Sequence, residues 1–249
     1  MKSSAYVKGY FRRNGTVVNW WNPTQDDYVH IYLKQQNIIK EWIKKIKPLN
    51  TLEVSCGKGR ITKVIAKYSA HYSATDISSE MINIAKKNCS SAKFKVEDAE
   101  KLSLKSNSQN VVICLESLVH YPNPEKAIKE FYRVLQKEGV LIIDVDNKYS
   151  LRRIIKCIYN KFFNIQEIGQ DIFRSYSKKE FIRMFANAGF MIEKFKYLGT
   201  FGPIRVRTKS GKQRHLVSVG LSKYLSMLPL DSIPGLNELA TYYLVEARK

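Results

Sequence analysis

Acidic side chains are scarce in this 249-residue chain: 22 Asp and Glu stand against 42 Lys and Arg, a formal charge of +20. That imbalance points toward an acidic partner, an anionic surface or a generally basic proteome, and composition does not choose among them. The four cysteines, Cys56, Cys89, Cys114 and Cys157, form no CxxC pair and no Cys/His spacing of the metal-binding kind. Neither a zinc site nor a disulfide framework is expected, and reduced thiols in a cytoplasmic protein are the plain reading. No apolar run approaches the ~20 residues that span a bilayer. The stretch Met1–Tyr6 has no apolar core of a signal peptide. Repeats and low-complexity tracts are also absent. With 44% hydrophobic and 26% charged residues, disordered and fibrous classes are excluded, and one α/β domain is expected.

The charge is uneven. Residues 1–50 carry 9 bases and 3 acids, residues 51–150 carry 15 and 12, and residues 151–249 carry 18 and 7. The middle is close to neutral, and the flanks hold the excess.

Along the chain, Tyr28–Lys47 has apolar residues at helical spacing and stops at Pro48. Thr51–Val54 reads as a buried strand that runs into Ser55-Cys56-Gly57-Lys58-Gly59, followed by a helix through Ile61, Val64, Ile65 and Tyr68. The alternation continues with a strand His71–Thr75, a helix Ser79–Lys87 capped by Ser78 or Ser79, and strands Lys93–Val96 and Asn110–Leu115. A helix Pro124–Leu135 ends at Gly139, which opens the strand Val140–Asp144. Ser177–Ala188 is a helix with Ser177 and Glu180 in capping-box positions and Gly189 beyond its end. Phe190–Leu198 and Tyr242–Arg248 read as strands, and residues 199–240 as an insertion. The expected fold is therefore α/β: a Rossmann-like, doubly wound, mostly parallel seven-stranded sheet with an antiparallel last strand. The chain is taken as one domain with an N-terminal helical arm (1–48), a ligand-binding half (49–150) and a substrate-side half (151–249).

A glycine turn between strand and helix lets backbone N–H groups approach a ligand. Asp76 ends the second strand, where a carboxylate takes both hydroxyls of a ribose; Asp98 ends the third strand and Glu116 follows the fourth. Any one of these is more often a solvated loop acid, but together they favour a nucleoside-like ligand. A dinucleotide fingerprint fails because position 62 is Thr, and a P-loop fails because Gly57-Lys58 is followed by Gly59.

These motifs, in this order, resemble the class I S-adenosylmethionine-dependent methyltransferases, in the methyltransferase type 11 or ubiquinone-biosynthesis-like branch. Leu52–Arg60 resembles motif I, Ala74–Ser78 with Met81 the second motif, and Val96–Leu102 the adenine-side motif. Val112–Tyr121 is similar to the fourth-strand motif and Glu130–Leu141 to the following helix and strand. Tyr176–Phe190 resembles the downstream helix of the ubiquinone-type branch. The resemblance implies S-adenosylmethionine as cofactor, S-adenosylhomocysteine as product, and no metal. It assigns Asp76, with Ile77 and Met81 beside it, to the ribose side, and Asp98 and Ala99 to the adenine. Glu53, Ser55, Cys56, Gly57 and Gly59 go to the methionine part and the turn, and Leu115 to backbone near the sulfonium. Ser55 stands where the family usually has glycine.

Methyl transfer from a sulfonium asks mainly for positioning. If a base is needed, His120 is the first candidate and Tyr121 the next; a loop histidine bonded to backbone is an equally good reading. Tyr10, Trp20 and Trp21 before the sheet, and Arg205 and Arg207 in the insertion, are candidates for the acceptor side; the two tryptophans serve equally well as a hydrophobic cap on the first helix. The expected reaction is transfer to an oxygen or nitrogen of a small molecule, and the basic flanks favour an anionic one. Two alternatives stand beside it: an RNA (tRNA) or peptide methyltransferase that uses those flanks, and a non-catalytic binder of the cofactor.

Overall fold

The computed structural model describes residues 9–10, 29–165, 174–208 and 212–249. Helix α1 (Val29–Ile46) buries Ile31, Gln35, Ile39, Trp42 and Ile43, which recur at three- and four-residue intervals and so share one face. Lys44 and Lys45 lie in its last turn, where cations suit the helix dipole. Lys47 then takes a left-handed conformation (φ 49°) and Pro48 ends the helix.

Seven strands form the main sheet: β1 (Asn50–Val54), β2 (His71–Asp76), β3 (Lys93–Val96), β4 (Gln109–Cys114), β5 (Leu135–Asp146), β6 (Met191–Leu198) and β9 (Tyr242–Arg248). Their order is β3-β2-β1-β4-β5-β9-β6. The first five are parallel, and β9 is antiparallel to both β5 and β6. Strands β4 and β5 are apolar on both faces, as a sheet covered on both sides requires. Val111, Ile113, Val140 and Ile142 face one core with α1 and α3 (Ser79–Asn88). Val112, Leu141 and Ile143 face the other, with Phe131 of α4 (Pro124–Val134) and Phe181 and Phe185 of α6 (Lys178–Asn187).

Capping follows the sequence closely. Ser78 caps α3, Asn123 caps α4 with Pro124 in its first turn, and Ser177 and Glu180 form a reciprocal capping box on α6. Gly189 beyond α6 has φ 94°, and a Cβ there would lie 2.9 Å from the Tyr132 ring, so two constraints select glycine.

Two local expectations are corrected. The helix after the glycine turn is only α2 (Thr62–Ile65) and then tightens into a 3-10 turn at Ala66–Tyr68, because His71 must already pair with Asn50. Gly139 does not end a helix: α4 ends at Val134 and β5 begins at Leu135, with its register against β4 shifting before Val140. The last strand is interior, with β6 outside it. Six of the seven β9 residues are fully buried, whereas β6 alternates exposed and half-buried positions and carries Glu193, Lys194 and Lys196, which suit a sheet rim.

Residues 199–240 add a two-stranded ribbon, β7 (Ile204–Arg207) and β8 (Gln213–Val217), and helix α7 (Val219–Met227). Helix α5 (Leu151–Phe163) follows β5.

Candidate functional site

The strand order reverses between β1 and β4, and a crevice opens there at the carboxyl ends of the parallel strands. A cavity of about 260 Å³ occupies it. Its walls include Glu53, Ser55, Cys56, Gly57, Asp76, Ile77, Met81, Asp98, Ala99, Leu115, His120 and Tyr121. Motifs spread over nearly seventy residues of chain thus meet in one place. Gly59 is not in the wall: it sits behind, where a Cβ would meet Ala85 of α3 at 3.3 Å and where φ is +80°. Gly57 (φ +53°) has open space where a side chain would stand, so the cradle is shaped for a ligand's close approach.

Asp76 holds this cradle together. Gly57 N donates to Asp76 Oδ2 and Ser78 N donates to Asp76 Oδ1, each at 2.9 Å. Burial pushes the Asp76 carboxyl up, and those N–H groups pull against the rise. Each oxygen retains a lone pair toward the cavity, which is the acceptor set a vicinal diol needs. At the third strand end, Asp98 Oδ1 accepts from Glu100 N at 2.9 Å, and Ala99 is buried beside it.

Glu53 is fully enclosed at the floor. Its Oε2 accepts from Thr62 Oγ1 at 2.5 Å and from Tyr72 Oη at 2.9 Å. Burial pushes its carboxyl up to about 7, against the pull of those hydroxyls and of Arg60.

Two residues without the freedom of glycine are held at positive φ, Ser55 (57°) and Glu116 (54°), and both line the cavity. Such strain persists only where the surroundings hold it in place. The Ser55 hydroxyl shares a 2.7 Å hydrogen bond with Tyr121 Oη, which also lies 3.3 Å from Cys114 Sγ. Tyr121 is therefore engaged, and burial pushes its pKa well above the usual phenol value. His120 ends a 3-10 turn (Leu118–His120), and its surroundings disfavour the imidazolium, pulling its pKa down to about 4.

Glu116 is fixed by a network whose members the sequence reading had not joined. Arg60 Nη2 donates to Glu116 Oε1 at 2.6 Å and to Gln35 Oε1 at 3.3 Å, and Glu116 N donates to Asp144 Oδ1 at 2.5 Å. Gln35 Nε2 also bonds Asp144, and the Arg60 guanidinium lies 5.1 Å from the centre of the Tyr32 ring. Asp144 is buried and beside the Glu116 carboxylate, and both causes push its pKa well up. Arg60 and Glu116 belong to motif runs and Asp144 ends a strand, so these were visible; Gln35 on α1 carried no signal at all.

The acceptor-side candidates fall elsewhere. Tyr10 is half-buried in helical backbone and does not line the cavity. Trp20 and Trp21 lie outside the described residues. Arg205 and Arg207 lie on β7 of the separate ribbon, away from the cavity wall, and only their backbone is described. Among the described residues no group of three or more His, Cys, Asp or Glu is placed to hold a metal.

A glycine turn tied to an acid at the end of the neighbouring strand, on a doubly wound sheet, defines a nucleoside-binding α/β protein. Residues 52–143 match the methyltransferase domain family. The ubiquinone biosynthesis O-methyltransferase of Coxiella burnetii is 24% identical over 69% of this chain and 76% of its own length. A ubiquinone/menaquinone biosynthesis C-methyltransferase of Campylobacter jejuni is 27% identical over 65% and 77%. Among solved structures, the magnesium protoporphyrin IX methyltransferase of Synechocystis with bound S-adenosylhomocysteine is similar along 99% of this chain and 100% of that one. Its TM-score is 0.68 and its identity 16%. Residues 52–143 thus carry a likeness to methyltransferases, and the fold of a solved methyltransferase is shared along nearly the whole chain.

Proposed function

We propose that this chain is a class I S-adenosylmethionine-dependent methyltransferase that transfers the methyl group to an oxygen atom, or secondarily a nitrogen atom, of a small anionic acceptor. The observation that carries the reading is the Asp76-anchored cradle opening into a cavity at the ends of β1, β2, β3 and β4. An O-methyltransferase among the relatives supports oxygen, and the base-rich flanks support negative charge.

In this reading Asp76 receives the ribose hydroxyls, Asp98 and Ala99 flank the adenine, and the Ser55–Gly57 turn with Glu53 surrounds the methionine end. The cofactor supplies a methyl group already activated on a sulfonium. The protein aligns the acceptor for in-line attack and excludes water, and alignment of this kind is worth up to ~7–11 kcal/mol in ideal intramolecular cases. His120 lines the cavity and is the base candidate in this reading, although burial disfavours the imidazolium that proton uptake would form. The Arg60–Glu116–Asp144–Gln35 network fixes the rim of the cavity against α1, so the wall keeps its shape as the acceptor docks.

Two measurements test this. S-adenosylmethionine at a hundredfold its Kd should stabilise the fold by ~2.7 kcal/mol, a rise of roughly 5–10 °C in Tm for a domain of this size. Radiolabelled methyl should then pass to small phenolic or carboxylic acceptors. Label appearing in bulk tRNA or protein, and in no small acceptor, would overturn the substrate class. Absence of any thermal shift would overturn cofactor binding itself.

A further inference from the structure

Two helices of the substrate-side half leave several large apolar side chains exposed to water. On α5 the exposed positions are Ile154, Ile158 and Phe162, spaced four apart and 39%, 64% and 81% exposed. The half-buried positions mix apolar Leu151, Ile155 and Tyr159 with Arg152, Arg153, Lys156 and Asn160. On α7 Leu221, Tyr224 and Met227 are exposed, while Ser222 is fully buried and donates to the Phe201 carbonyl at 2.7 Å. A surface helix ordinarily buries its apolar stripe and shows water its charges. The two helices flank one ribbon, α5 against β7 and α7 against β8. The exposed Lys161, Lys212, Arg214 and Lys223 lie on these elements or the turn between the ribbon strands, and the whole stretch 194–223 contains no acid.

Exposed apolar side chains set among bases, with no acid to oppose them, fit an anionic lipid surface. We propose that α5 and α7 form a docking face for a bilayer bearing anionic headgroups. Ile158, Phe162, Leu221 and Met227 enter the boundary between headgroups and acyl chains, and the surrounding lysines and arginine meet the phosphates. A second copy of the chain is disfavoured as occupant because it would bring the same positive face against this one. A flat amphipathic contact asks for no spanning segment, and none of the described helices is long and apolar enough to be one.

The test uses the full chain without added cofactor, so its outcome is independent of the reaction proposed above. Protein is pelleted with vesicles of phosphatidylcholine alone and with vesicles containing about one third phosphatidylglycerol. The expected result is pelleting with the anionic vesicles, weakened by salt. The double variant Ile158→Ser/Phe162→Ser and the double variant Leu221→Ser/Met227→Ser should each reduce the partition coefficient at least about tenfold. Lys161→Glu/Lys223→Glu should remove the preference for phosphatidylglycerol. Because these side chains are exposed, Tm should be unchanged, which separates lost docking from lost folding. Three results overturn the proposal: no pelleting with anionic vesicles, pelleting that all three variants retain, or light scattering that shows a dimer dispersed by the apolar variants.

Discussion

Glu53→Gln isolates the cost of a buried carboxylate at the floor of the cavity. The wild-type carboxyl has its pKa raised from 4.5 to about 7 by burial. Between those values the unfolded chain has released its proton and the folded chain has kept it, so the folded state binds more protons and stability falls as pH rises. Below about pH 4.5 the group adds no pH dependence, and above about 7 the loss is complete. The full loss is about 3 kcal/mol, the pKa rise multiplied by ~1.36 kcal/mol per unit. For a domain of this size that is roughly 6–12 °C in Tm. Glutamine keeps a carbonyl oxygen able to accept from both Thr62 and Tyr72, so the hydrogen bonds at Oε2 survive and only the titration is removed. Wild type and variant, unfolded in urea at a series of pH values from 4 to 8, should agree at the acid end. They should then separate, with the variant more stable by about 3 kcal/mol at pH 8. Parallel curves over that whole interval would refute the argument, since other raised carboxyls such as Asp76 and Asp144 are common to both proteins.

Tyr121→Phe should reduce stability by about 1–2 kcal/mol, because it strips a partner from the Ser55 hydroxyl, yet leave turnover within about tenfold; a loss of a thousandfold would make the phenol part of the chemistry. His120→Ala should lower turnover by ~10²–10⁴ with the cofactor-induced rise in Tm intact, and a loss under tenfold would leave His120 a wall residue. With its pKa pulled down to about 4, wild-type turnover should show no break near pH 6.5; a break there that disappears in the variant would contradict the burial argument. Gly199→Ala should cost more than about 1 kcal/mol, since φ is +73° and the new Cβ would sit 2.5 Å from Ile31 Cδ1; unchanged Tm would show that α1 gives way freely.

Alternation of apolar runs with capped helical stretches was enough to read the parallel sheet, because strands covered on both faces cannot be polar on either. Ser78, Pro124, Ser177 with Glu180, and Gly189 marked helix ends through local chemistry that needs no tertiary partner. The cavity wall was legible for a related reason. Its residues sit at strand ends, and parallel strands from one sheet bring those ends to one edge whatever else the chain does. Gly139 misled because a glycine near a helix end suggests a stop, whereas the helix has already ended and β5 begins at Leu135, shifting its register against β4 before Val140.

The sequence by itself thus determined the sheet, the glycine cradle with Asp76, and the identity of most of the cavity wall, all of them consequences of short-range periodicity and strand-end position. Only the tertiary structure decided that Tyr121 is engaged with Ser55 and Cys114, that β9 lies inside β6, and that Arg60, Glu116, Asp144 and Gln35 form one network. It also decided which face of α5 meets water. Helical spacing gives a stripe but not its direction, and the direction depends on what the neighbouring elements leave uncovered.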